Sequence, residues 1–343
     1  MILKTFIGAA ALALVANSAV AEGKLSVYHW FEYIPAELVQ KFEKKYDVEV
    51  TIDTFDSNES MLASLKAGTM GSYDVAVPGD YMVEIMVGLW LLDTIAEGEL
   101  ANMSNIEDQW LNVPFDHGRK HSIPYQWGST SFSVNRDAYS GNINTTDIIF
   151  NPPEQLKGKI NVLDSQGEVM AMAALHLDIP QCSTDREQLK SLDALLQSAK
   201  ANWASFGSYT AKDVLVSGDA AVGMIWNGYG ARARTEGANI EYSYPDQGYV
   251  VWMDNVVLLN DAPNRANAII FMDFLLEPEN IAAVTNYAMY ADGIKGSTEF
   301  LDAELETSPE HNPRVGSGPG VFVSVCDQTT QEVYDQIWTR LRS

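Results

Sequence analysis

Apolar and polar positions follow two rhythms along the chain, one of period two and one of period near 3.6, and they alternate. Lys24-Leu-Ser-Val-Tyr-His-Trp30 has strand propensity, and Pro35 then opens a helix. From Ala36 to Tyr46, Leu38, Val39 and Phe42 recur at helical spacing with charges between them. Asp47-Val-Glu-Val-Thr-Ile-Asp53 alternates and predicts a second strand. Ser57-Asn58 reads as the cap of a helix that carries Met61, Leu62 and Leu65 and stops at Gly68. Tyr73-Asp-Val-Ala-Val77 predicts a third strand, ended by Pro78-Gly79. The pattern returns later. Gly158 to Leu163 predicts a strand, with a helix starting near Glu168 and another from Leu189 to Ala201. Ala220 to Trp226 predicts a buried strand, and Val250–Met253 and Asn255–Leu259 flank Asp254. Arg265–Leu276 predicts an apolar helix, and Gln331–Leu341 a closing one.

Strands that alternate with helices across short loops imply an α/β chain, its mostly parallel sheet flanked by helices. The 343 residues exceed the usual 100–200 of one domain, so two lobes are expected. No repeat, low-complexity tract or long Pro/Gly/Ser linker separates them. The chain should therefore cross between lobes more than once, giving discontinuous domains. The expected division is 22–131 with 256–300, and 132–255 with 301–343.

The first 21 residues stand apart. Lys4 precedes an apolar run from Phe6 to Ala16, and Ala19-Val20-Ala21 offers small residues where a signal peptidase reads. This predicts a cleaved export signal, with an N-terminal anchor helix as the alternative. The run is shorter than the roughly 20 apolar residues of a spanning helix. No Cys follows the cleavage site to carry a lipid, and no later stretch is long and apolar enough to span a membrane.

Charge narrows the partners. The net charge of -24 becomes -25 once Lys4 leaves with the signal. That argues against nucleic acid, whose binding rests on cationic contacts to phosphate. It favours cationic partners, although a solvated acidic surface that serves solubility explains the same number. Cys182 and Cys326 are too few for a disulfide scaffold or a zinc cluster. An oxidising compartment permits one bridge between them, and spacing leaves that open.

Ligands of open α/β sheets bind beyond the carboxyl ends of the strands. Trp30-Phe31-Glu32-Tyr33 follows the first predicted strand and Gly79-Asp80-Tyr81 the third. Asp164-Ser165-Gln166-Gly167-Glu168 follows a later one, and Trp226-Asn227-Gly228-Tyr229 another. Trp252 and Asp254 sit within a strand pair, and Tyr287, Tyr290 and Asp292 follow an apolar helix. Aromatics and carboxylates thus coincide repeatedly. An alkylammonium group has donors only, so it needs carboxylate acceptors, and its methylenes need an apolar wall. Trp and Tyr faces add cation–π attraction of about 0.5–2 kcal/mol. Singly, each such residue reads as packing, a turn or a helix cap. Enzyme signatures are missing: there is no nucleophile elbow, P-loop or dinucleotide fingerprint. His117 and His121 lie four apart, but Gly118 intervenes and no carboxylate completes a metal motif. No cofactor is expected.

At these same residues the chain resembles the bacterial spermidine/putrescine-binding proteins of ABC transporters. The resemblance spans the mature chain. It rests on Tyr28-His-Trp-Phe-Glu-Tyr-Ile34, Phe55-Asp-Ser-Asn-Glu59, Tyr73-Asp-Val-Ala-Val-Pro78 and Ile123-Pro-Tyr-Gln-Trp-Gly128. It continues in Met224-Ile-Trp-Asn-Gly228, Trp252-Met-Asp254 and Tyr290-Ala-Asp292. It implies a type II periplasmic binding fold that closes on ligand about a hinge. It implies aromatic walls at Trp30, Trp226 and Trp252, and contacts from Tyr81 and Tyr290. It assigns Glu32 to one end of the ligand, Glu168 to an amine gripped from the second lobe, and Asp254 to the centre. Phe31, Gly79 and Ser165 stand where the family has Ser, Thr or an acid, and Tyr229 where it has Asp, while Asp80 adds an acid. The implied protein is a periplasmic monomer that hands a small cation to an ABC permease or shows it to a membrane sensor. An anion-binding relative would need Arg or Lys at strand ends, where only Arg232 and Arg234 come near.

Overall fold

The computed structural model describes residues 23–343, so the leader read at Met1–Ala21 lies outside the described residues. Twelve strands are present among them. They are β1 (Gly23–Trp30), β2 (Val48–Phe55), β3 (Val75–Ala76), β4 (Asn112–Val113), β5 (Asp116–His117) and β6 (Ser122–Asn135). They continue as β7 (Ile160–Val162), β8 (Ser205–Phe206), β9 (Val222–Trp226), β10 (Ile240–Ser243), β11 (Tyr249–Leu258) and β12 (Gly320–Phe322). β4 and β5 form a small hairpin. The rest form one sheet in the order β2-β1-β3-β11-β6-β9-β7-β8, with β10 beside β6 and β12 beside β11.

The outer strands are parallel, as the alternation of strands and helices requires: β1 with β2 and β3, and β7 with β8 and β9. Between these halves run β6 and β11, antiparallel to each other. One end of β11 lies on β3, and the other lies on β12. The far end of β6 lies on β9 and β10. The sheet is therefore mixed, and two long strands carry the chain between two α/β lobes. β6 has no period-two pattern because nearly all of it is buried, so its polar Ser, Thr and Gln residues and Pro124 conceal it in the sequence. β11 runs straight through Asp254, where the sequence suggested a break.

Local signals set the helices. Leu38 and Phe42 bury one face of helix Ala36–Tyr46, and Lys45 at its end pairs with Glu277 at 2.8 Å. Ser57 and Ser60 exchange side-chain and backbone bonds, a reciprocal cap that starts helix Asn58–Ser64. Helix Arg186–Lys200 begins three residues before the apolar pattern does, because Asp185 accepts from the amides of Glu187 and Gln188. The closing helix Gln328–Arg342 starts early for the same reason, at Asp327. Its Tyr334, Ile337 and Leu341 join Leu192 and Leu196 in the core of the second lobe. Cys182 and Cys326 are bonded, which ties the segment before that helix to the loop after helix Gln166–Leu177. Among the described residues no helix is long and apolar enough to cross a membrane. His117 and His121 belong to the hairpin region: His117 contacts Asn112, and His121 contacts the Asp93 carbonyl.

Candidate functional site

The cleft lies where β6 and β11 pass between the lobes. At Asp254 the register between the two strands shifts, so that Asp254 faces Gln126 while Asn255 faces Pro124. Such an irregularity re-aims a side chain out of the sheet. Gly79 bridges to Asp254 on the other side, and a Cβ at Gly79 would stand 3.0 Å from Asn58 Nδ2. Gly128 is required more strictly, since a Cβ there would come within 2.8 Å of the Trp252 ring.

Of the twelve residues expected to contact ligand, eleven line one cavity. Trp30 and Phe31 leave β1, while Gly79, Asp80 and Tyr81 open helix Asp80–Gly88. Glu168 is the third residue of helix Gln166–Leu177. Trp226 ends β9, Tyr229 follows it, Trp252 and Asp254 come from β11, and Tyr290 follows helix Pro278–Ala288. The rings meet edge to face. Trp30 and Trp226 centroids are 6.4 Å apart, Trp226 and Tyr229 5.7 Å, and Trp252 and Tyr290 5.0 Å.

Four carboxyls line this aromatic box: Asp80, Glu168 and Asp254 are buried, and Asp56 is exposed. Glu168 accepts from Thr130 Oγ1 and from Trp226 Nε1, the latter at 3.0 Å. Asp80 accepts from the amides of Met253 at 2.8 Å and Tyr81 at 2.6 Å. Burial pushes the Asp80 carboxyl up to about 7 against those two bonds. Burial also raises Glu168, chiefly opposed by Thr130. Burial pushes Asp254 well above the usual carboxylate range; the Tyr33 hydroxyl opposes this, and the charges of Asp80 and Glu168 add to it. Among the described residues no Lys, Arg or His lines the cavity. It is an acceptor site with apolar walls, matched to a donor-only cation.

Glu32 is the exception. It lies outside the lining, in the left-handed region at φ 50°, and its carboxylate meets Arg232 at 3.0 Å. Tyr287 and Asp292 also lie outside. Tyr287 sits 5.8 Å from the Arg232 guanidinium, and Asp292 accepts from Thr285 and the Ile294 amide. Tyr33 and Ser165, named among the strand-end residues, line the cavity too, whereas Asp56, Ser57, Asn58, Tyr209 and Val323, which also line it, were not picked out as site residues. Asp56 to Asn58 follow β2, so the strand-end rule points to them. Tyr209 and Val323 follow β8 and β12, strands of two and three residues that leave almost no pattern.

Two α/β lobes joined by crossing strands, with a lined cavity between them, are the architecture of a solute-binding protein. The profile of the family described as bacterial extracellular solute-binding protein matches residues 37–313, and the chain belongs to that family. It is 35% identical over 303 residues to the spermidine/putrescine-binding periplasmic protein of Escherichia coli (strain K12), covering 88% of this chain and 85% of that one. It is 30% identical over 316 residues to a putrescine/cadaverine-binding protein of Pseudomonas aeruginosa, covering 89% of each. Among solved structures, a putative spermidine/putrescine ABC transporter protein from Listeria monocytogenes superposes with a TM-score of 0.86 at 27% identity. That match covers 93% of this chain and 98% of the other.

Proposed function

We propose that this chain captures a linear polyamine in the periplasm and delivers it to an ABC permease. The observation that carries the reading is the convergence of Asp80, Glu168 and Asp254, all buried, in an aromatic cavity lined, among the described residues, by no cationic side chain. Buried carboxylates without counter-charge are costly, and ammonium groups supply that charge. The methylenes between them lie against Trp30, Trp226, Trp252 and Tyr290. Micromolar affinity needs about -8 kcal/mol, within reach of charge-assisted bonds plus aromatic burial. The names of the relatives support both the amine class and the transporter. They favour a permease over a membrane sensor as the partner.

Further parts of this reading are proposals of the same kind. The eleven cavity residues are the ligand contacts. The lobes divide as 22–131 with 256–300 and 132–255 with 301–343. Crossing on β6 and β11, and packing of the closing helix in the second lobe, support this division. Met1–Ala21 is a cleaved export signal, and the mature protein acts as a monomer. Titration calorimetry of the mature chain with putrescine, spermidine, norspermidine and agmatine tests the core claim. At least one amine binds at one-to-one stoichiometry, and Asp254→Asn weakens it by roughly 3–5 kcal/mol, as for a broken buried pair. No heat from any amine overturns the reading.

A further inference from the structure

Behind the strand that carries Asp254 lies a buried cation that ligand capture, as described so far, does not use. Arg119 follows the β4–β5 hairpin with its backbone in the left-handed region, at φ 52°, and its side chain is 1% exposed. Burial draws the guanidinium down to about 10 and Asp116 opposes this, so it stays charged at neutral pH. Ser122 Oγ stands between the two charges, accepting from Arg119 Nη1 at 3.2 Å and donating to Asp116 at 2.7 Å. On the hairpin side, Arg119 Nε donates to the Trp110 carbonyl at 2.6 Å, and the Phe115 ring centre lies 5.4 Å from the guanidinium.

The other bonds of the guanidinium go to β11, to the two residues that flank Asp254. Nη1 donates to Asn255 Oδ1 at 2.7 Å, and Nη2 to Met253 Sδ at 3.2 Å. Trp252 and Asp254 line the cavity and Met253 and Asn255 do not, as the alternation of a strand requires. Arg119 therefore holds β11 from the face turned away from the cavity. Asn255 carries the hold onward. Its Nδ2 donates to the Met253 carbonyl at 2.8 Å, a bond that reaches past Asp254, and its backbone amide donates to the Pro78 carbonyl at 2.9 Å. A carboxamide has an acceptor end and a donor end, whereas a guanidinium has donors only. Arg119 thus takes the oxygen and turns the Nδ2 toward Met253. This loop of bonds closes at the register shift between Asp254 and Asn255, where the ladder itself is disrupted. An apolar side chain could tie the hairpin to the sheet without burying a charge. It could not orient Asn255.

We infer that Arg119 is a positioning residue for ligand capture: by fixing the Asn255 carboxamide it holds the irregularity of β11 that aims Asp254 into the cavity. The inference rests on the polyamine reading above and deepens it, by giving Asp254 a support that lies outside the cavity.

Calorimetry of the mature chain with spermidine tests it. Arg119→Met removes the donors, and Asn255→Leu cuts the relay from the other side, with circular dichroism to check that each variant is folded. Each should weaken spermidine at least tenfold. Arg119→Lys, which keeps the charge and loses the planar fork, should fall between Arg119→Met and the parent. A general loosening of the fold would weaken binding in any background, so a cycle with the cavity carboxyls separates the two roles. In a Glu168→Gln background Arg119→Met should still cost at least tenfold. In an Asp254→Asn background it should cost less than threefold, because the group it aims is already gone. Should Arg119→Met not fold, Asn255→Leu carries the same cycle with the same expected ratios. Affinity within twofold of the parent in a folded Arg119→Met or Asn255→Leu chain overturns the inference, as does an equal loss in both backgrounds, and each leaves the polyamine reading standing. No binding of spermidine or putrescine by the parent chain overturns both.

Discussion

Asp80 shows what one residue's surroundings do to its chemistry. In sequence it is an acid at the start of a helix, a common capping position. In the fold it is buried beside Asp254 and Glu168, and burial lifts it to about 7. A cation binds only the charged carboxyl, so protons and ligand compete. Amine affinity should rise from pH 5.5 to pH 8 and level off above the raised value, with a proton released on binding near neutrality. Stability of the unliganded chain should move oppositely. A carboxyl raised by folding binds more protons in the folded state, so its contribution falls as pH climbs from about 4 toward 7. Calorimetry in two buffers of different ionisation heat checks this. A flat pH profile with no proton release sinks it. At this scale the sequence was informative: residue type and strand-end position picked out most of the cavity. It misled at Glu32, where only the left-handed backbone and the approach of Arg232 decide the partner.

At the scale of elements, the strap Phe322–Val325 depends on the Cys182–Cys326 bond. The bridge spans 144 residues. Loop-closure entropy sets an upper figure near 5 kcal/mol, and measured losses for native disulfides run about 2–5 kcal/mol. Reduction, or Cys182→Ser, should lower the thermal midpoint and also weaken amine binding, because Val323 lines the site three residues from Cys326. Denaturation and calorimetry with and without reductant check the two effects. Unchanged affinity in the reduced, folded chain removes the link to the site. Helices were legible because an amphipathic face repeats over ten or more residues, as in Ala36–Tyr46. β3, β8 and β12 are two or three residues long, and β6 is buried on both faces, so neither period nor composition marks them.

At the scale of the molecule, contacts at the edge of the cavity tie its two sides together. Arg232 of helix Asn227–Thr235 reaches Glu32, just after β1, at 3.0 Å, and its guanidinium lies over Tyr229 at 5.2 Å and Tyr287 at 5.8 Å. The Tyr209 hydroxyl donates to the Phe55 carbonyl at 2.7 Å across the same gap. The ion pair is part-exposed, at 17% and 40%, which limits it to about 1 kcal/mol. Arg232→Ala should therefore weaken amine binding about fivefold or less, mainly through faster release, and enlarge the unliganded chain in small-angle scattering. Stopped-flow fluorescence of the cleft tryptophans measures the rates. Release and size identical to the parent would remove the latch.

The sequence by itself determined that this is an α/β chain of two lobes, acidic throughout, with aromatics and carboxylates gathered after its strands. Those features follow from periodicity, length and residue type, which are local. The tertiary structure alone decided which of those residues share one cavity, that Cys182 meets Cys326, that Asp254 is re-aimed by a register shift, and that Glu32 belongs to Arg232. Each of these depends on distances between segments far apart in the chain. Such distances come from how strands pair across the crossing, and no short stretch of sequence carries them.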